Sequence, residues 1–125
     1  MGIRAFVGVV DDDASVCKAL ARLLRSSQMD VGTYRSADAF LRSLAERKPD
    51  CLVLDIRMPG MTGLELRQRL LGLGHRIPIV FVTAHAEEIQ EASTAADGVE
   101  ILRKPCDGQA LLDAIQRAMK TPEER

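Results

Sequence analysis

The sequence predicts a (βα)5 doubly wound parallel sheet. Three observations lead there. Short apolar runs alternate with segments of helical period five times along the 125 residues. The runs are apolar throughout rather than alternating, which implies burial on both faces. Each run ends in polar or turn-forming residues and passes directly into a helical pattern. That order favours right-handed crossovers between parallel strands.

The elements follow in order. AFVGVV (5–10) reads as a buried strand. Residues 14–28 carry Val16, Leu20, Leu23 and Leu24 at helical spacing. VGTY (31–34) is a weak second strand. In SADAFLRSLAERK, Ser36 is a natural N-cap and Phe40, Leu41 and Leu44 share a face, with Pro49 as the break. CLVLD (51–55) is the third strand and GLELRQRLL (63–71) the third helix. IPIVFVT (77–83) is the strongest strand, apolar and β-branched. AEEIQEASTAAD (86–97) reads as a poor helix whose one large apolar residue is Ile89. VEIL (99–102) is a fifth strand, and residues 107–120 form a last helix with Leu111, Leu112, Ile115 and Met119 inward. Residues 1–120 are expected to be one domain, with 121–125 a tail or the start of a linker.

Composition removes several function classes. Seventeen basic against eighteen acidic residues give a net charge of -1, so no general attraction for nucleic acid or anionic membrane is expected. No apolar stretch is long enough to span a bilayer. MGIRAFVGVV is short for a secretory signal and runs straight into DDD, and Phe6 stands where myristoylation would want Ser or Thr. Cys17, Cys51 and Cys106 are odd in number and widely spaced, the pattern of reduced thiols in a cytoplasmic protein rather than of a disulfide framework or zinc site. His75 and His85 have no ligand-spaced partners. No phosphate-binding glycine loop follows the first strand.

In such a fold, ligands bind beyond the carboxyl ends of the strands. Strand one ends in Asp11, Asp12 and Asp13, strand three in Asp55, strand four in Thr83 and Ala84, and strand five leads to Lys104 and Pro105. Each residue alone has a plain structural explanation. Asp13 is a natural N-cap, Asp55 could open the turn made by Pro59 and Gly60, Thr83 could be a strand residue and Lys104 solvated surface. Their convergence at the ends of four strands points instead to phosphoryl chemistry. Clustered carboxylates need a cation, hard oxygen donors suit Mg²⁺, and an aspartate can itself accept a phosphoryl group.

VVDDD, PDCLVLDIRMPGMTGLEL, PIVFVTAH and LRKPCD, in this order and spacing, resemble the receiver domains of two-component response regulators. SADAFLRSL followed by DIRMPGMTG is most like the FixJ-like subgroup, whose members usually carry a DNA-binding domain besides the receiver. The resemblance implies a flavodoxin-like sheet of order 2-1-3-4-5. It implies that Asp55 takes a phosphoryl group from a sensor histidine kinase or phosphotransfer protein. Asp11 and Asp12 match the acidic pair for Mg²⁺, and Arg57 matches the position whose backbone carbonyl completes that site. Thr83 and Lys104 match the phosphoryl contacts, and Ala84 the small residue that admits the group. Arg57 and His85 match the positions that tune hydrolysis, and Pro105 matches a proline preceded by a cis bond.

The implied protein is a cytoplasmic signalling phosphoacceptor in transcription regulation, not an enzyme of metabolism. It phosphorylates and dephosphorylates itself with Mg²⁺, has no direct nucleic acid binding of its own, and has homodimerisation as one outcome. The alternative is a phosphorylation-independent pseudo-receiver, whose usual mark is a lost acidic, acceptor or lysine residue; none is lost here. An aspartyl-phosphate phosphohydrolase would place a carboxylate at the Arg57 position. One departure stands out: Ile101 occupies the family's aromatic switch position. With the small-residue helix before it, Ile101 suggests an altered output face.

Overall fold

In the computed structural model, residues 4–84 and 99–120 are described. They form β1 (Phe6–Val10), α1 (Ala14–Ser26), β2 (Asp30–Tyr34), α2 (Ala37–Ser43), β3 (Cys51–Leu54), α3 (Gly63–Gly72), β4 (Ile79–Thr83), β5 (Val99–Arg103) and α4 (Gly108–Met119). The helix expected at 86–97 lies outside the described residues. All four strand pairings are parallel and the order is β2-β1-β3-β4-β5, as the sequence predicts.

The sheet separates two cores by the two-residue period of a strand. On one face Val7, Val9, Val53, Val80 and Val82 pack with Cys17 and Leu24 of α1 and with Leu111, Ala114 and Ile115 of α4. On the other, Leu52, Leu54, Ile79 and Phe81 pack with Phe40 of α2 and with Leu66 and Leu70 of α3. The central strands β1, β3 and β4 are buried at every residue. The edge strands β2 and β5 are mostly half-buried, because each has a neighbour on one side only.

Boundaries shift where local chemistry decides. α2 stops at Ser43, several residues before the breaking Pro49. β4 starts at Ile79 because Pro78 has no N–H for the ladder, although its carbonyl still accepts from Leu52 N–H at 2.9 Å. Each helix start is capped by a side chain: Asp13 for α1, Ser36 for α2, Thr62 for α3 and Asp107 for α4. Parallel strands bring every strand's carboxyl end to the same edge, and the site lies there.

Candidate functional site at the carboxyl edge of the sheet

Of the three consecutive aspartates after β1, two bring carboxylate oxygens into one group and the third turns away. Asp11 is buried, at 3% exposure. Its N–H donates to the Tyr34 carbonyl at 3.1 Å, and its Oδ1 accepts from Asp13 N–H at 2.9 Å. Asp12 is exposed, and its carbonyl accepts from Arg35 Nε at 3.1 Å. Asp13 turns away and caps α1, accepting from the N–H groups of Ser15 and Val16.

Asp55 follows β3 and is held by its backbone and by its carboxylate. Its N–H donates to Val10 O at 3.0 Å. Its Oδ1 accepts from Ile56 N–H at 2.8 Å. Lys104 reaches in from beyond β5, its own N–H donating to Thr83 O at 2.8 Å. The Lys104 ammonium lies 3.0 Å from Asp11 Oδ2 and 3.4 Å from Asp55 Oδ2. Asp11 and Asp55, 93 and 49 positions before Lys104, thus share its one cation. One oxygen each from Asp11, Asp12 and Asp55 falls within 4.8 Å of the others. Among the described residues this is the one such acidic group.

Electrostatics follow from the crowding. Burial, and then the Asp11 charge, push the Asp55 carboxyl above the ordinary aspartate range, against the pull of Lys104 and the Ile56 N–H. Lys104 is pushed up as well, which favours its charged form. Burial works against its charge, but the Asp11 hydrogen bond, the Asp11 charge and Asp55 together carry its ammonium upward. The two shifts are consistent: the lysine faces two anions, while Asp55 faces one cation and one anion. Burial also raises the Cys17 thiol, with Asp11 adding to it.

Thr83 ends β4 fully buried, and Ala84 beside it is exposed. Arg57 is exposed, two residues after Asp55. The Lys104–Pro105 peptide bond is cis. Ile101 pairs in register with Phe81 and packs, half-buried, on the α2–α3 side of the sheet. His85 lies outside the described residues.

Three residues in contact with this group are not singled out by sequence reasoning. Cys17 donates its S–H to the Asp11 carbonyl at 3.2 Å. Arg35 sits after β2, whose end carries the least pointed chemistry of the five, yet its guanidinium holds the Asp12 backbone. Gly63, the first residue of α3, lies against the backbone of Asp55 and Ile56. The TGLE run that starts α3 is a capping-box signature and is the signal that marks this junction.

A doubly wound sheet of order β2-β1-β3-β4-β5 with a lysine-bridged acidic group at its carboxyl edge defines a domain of the flavodoxin-like kind. The chain belongs to the response regulator receiver domain family, whose model matches residues 7–116. Members of that family are signalling phosphoacceptors rather than metabolic enzymes. The transcriptional regulatory protein TdiR of Thauera aromatica is 39% identical over 124 residues, covering 98% of this chain and 55% of TdiR. The response regulator StyR, a solved structure, is 43% identical with a TM-score of 0.83, covering 98% of this chain and 63% of that one. The solved structure of FixJ-N is 31% identical with a TM-score of 0.81 and about 96% coverage of both chains. The chain spans about half the length of the curated relatives it matches. No helix among the described residues is long and apolar enough to cross a membrane.

Proposed function

We propose that Asp55 accepts a phosphoryl group from a sensor histidine kinase or phosphotransfer protein, in a Mg²⁺-dependent reaction, and that this switches a partner or output domain in the cytoplasm. The observation that carries the reading is the Lys104 ammonium bridging Asp11 and Asp55. A lone structural aspartate needs no such arrangement. Two carboxylates and a lysine brought together from three strand ends suit a group that must hold extra negative charge.

The donor set fits a hard cation. Asp11, Asp12 and Asp55 offer carboxylate oxygens within 4.8 Å of one another, with no thiol or imidazole among them. With the Arg57 carbonyl these are the residues that would hold Mg²⁺. When bound, the ion supplies charge neutralisation for the incoming phosphoryl oxygens.

The rest belongs to the chain's own groups. An Asp55 carboxylate oxygen attacks phosphorus as the bond from phosphorus to the donor imidazole nitrogen breaks. The electron pair leaves with the nitrogen, which takes a proton. Lys104 pairs with the transferred group, which carries about two negative charges where the Asp55 carboxylate carried one. The Thr83 hydroxyl donates to a phosphoryl oxygen, and the small Ala84 leaves room for the group to enter. Water reverses the modification, and the residue types at positions 57 and 85, Arg57 and His85, tune that rate. The names of relatives such as TdiR support an output in transcription regulation.

Incubation with acetyl phosphate and Mg²⁺, followed by intact mass, tests the reading. The expected result is a gain of one phosphoryl group that is lost in Asp55→Asn and in excess chelator. A gain that persists in Asp55→Asn moves the acceptor elsewhere. No gain under any condition favours a phosphorylation-independent interaction module.

A further inference from the structure

The start of α3 is pressed against the residue that carries the chemistry. Gly63 is buried at the first position of that helix. A Cβ built on it would overlap the Asp55 carbonyl oxygen. It would also lie 3.0 Å from the Asp55 carbonyl carbon and 3.0 Å from Ile56 Cα. All three obstacles are backbone atoms, so no side-chain rotation makes room. The same glycine's N–H donates to the Ile56 carbonyl at 2.8 Å. A hydrogen bond therefore draws the helix onto the turn after β3, and the missing side chain lets it close.

The first turn is fixed from its other side. Thr62 N–H donates to Glu65 Oε1 at 2.8 Å, and Glu65 N–H donates to Thr62 Oγ1 at 3.1 Å. Asp55 is in turn tied to β1 through its N–H on Val10 O. Its backbone is thus gripped between β1 and the start of α3. Gly72, the other glycine of this helix, has nothing within 4 Å of its Cβ position.

We propose that Gly63 is a positioning residue for the phosphoacceptor. Its bare backbone seats α3 on the Asp55 carbonyl and so sets where the carboxylate stands relative to Asp11 and Lys104. This rests on the reading of Asp55 as the acceptor. In-line transfer is sensitive to placement: a displacement of about 1 Å in the reacting geometry slows a reaction by about 100-fold. An added methyl group must move either the helix start or Asp55 itself.

The test compares wild type with Gly63→Ala, Gly72→Ala, Leu70→Ala and Thr62→Ala. The rate of phosphoryl uptake from acetyl phosphate with Mg²⁺ is followed by intact mass, at a temperature where circular dichroism shows each variant folded. Gly63→Ala is expected to slow uptake by about 10- to 100-fold and to move the Asp55 and Ile56 amide resonances. Gly72→Ala keeps the wild-type rate. Leu70→Ala, a core truncation in the same helix, loses stability but keeps the rate. Thr62→Ala, which loosens the cap, slows uptake several-fold. A wild-type rate in Gly63→Ala overturns the proposal, as does an equal slowing in Leu70→Ala. If Gly63→Ala does not fold, a wild-type rate in Thr62→Ala overturns it. Should wild type take up no phosphoryl group, the acceptor reading falls by itself. Unmoved Asp55 and Ile56 resonances in Gly63→Ala then overturn the clamp as well.

Discussion

Replacing Lys104 by Met asks how much of the fold depends on one shared cation. At an effective dielectric constant of about 20, the contacts at 3.0 Å and 3.4 Å correspond to attractions of about 5.5 and about 4.9 kcal/mol. Asp11 and Asp55, with oxygens no more than 4.8 Å apart, repel by at least about 3.5 kcal/mol on the same scale. Desolvation offsets most of the gross attraction, and breaking a buried pair typically costs about 3–5 kcal/mol. The Lys104 side chain is 26% exposed, so solvent screens part of the loss, and about 2–3 kcal/mol is expected. Urea denaturation at neutral pH, low salt and excess chelator measures it as a lower midpoint at unchanged slope. The mechanism is checked by adding Asp55→Asn to both backgrounds. In the Lys104→Met background the amide removes carboxylate repulsion and restores stability. In wild type it loses an attraction and a repulsion together and changes stability less. A Lys104→Met protein within about 0.5 kcal/mol of wild type, or an Asp55→Asn effect equal in both backgrounds, refutes the charge argument.

Asp13→Ala removes the α1 cap and should cost about 0.5–2 kcal/mol while leaving Mg²⁺ affinity unchanged; weaker Mg²⁺ binding by calorimetry would move Asp13 into the metal site. Burial pushes the Cys51 thiol up from 9.0 to about 12. The protonated thiol's contribution is therefore complete below the unfolded value and is lost as pH rises from there toward the folded value. Above that lower limit wild type should lose up to about 1.4 kcal/mol of stability per pH unit from this group. Cys51→Ala should lack that share of the slope, and identical slopes in urea titrations up to about pH 10.5 would contradict it. Ile101 has no ring to turn inward beside Phe81, so beryllofluoride should leave the molecular mass by light scattering unchanged. A shift to dimer in wild type would show that the output face works without an aromatic switch.

Apolar runs, their period and their terminators made the architecture legible before any coordinates. β1, β3 and β4 read as buried because each is apolar at nearly every position, and burial on both faces is what a central parallel strand experiences. The strand-end polar residues were legible for a topological reason: parallel strands all deliver their carboxyl ends to one edge. Local helix extent was less legible. Leu44 belongs to the periodic face read for α2 and packs on the same core as Phe40, yet it forms the C-cap after Ser43. Gly63 was hidden for a different reason. The sequence places it at the start of the third helix, and the need for a missing Cβ shows only when the Asp55 carbonyl, eight residues earlier, is seen against it.

The DDD run shows how far residue identity can go without environment. Three identical side chains in succession have three different fates. Asp11 is buried and is paired with Lys104 from the far end of the chain. Asp12 remains exposed, with its backbone held by Arg35, so its carboxylate is free to face a cation. Asp13 meets the bare N–H groups of α1 and is satisfied locally. Local rules identify the third, because an N-cap is a matter of a few residues. The first two depend on contacts spanning 93 and 23 positions, which no window of sequence contains. Asp13 turns to the helix start, while Asp11 and Asp12 bring carboxylate oxygens to within 4.8 Å of each other and of Asp55, with the Lys104 ammonium on Asp11 and Asp55.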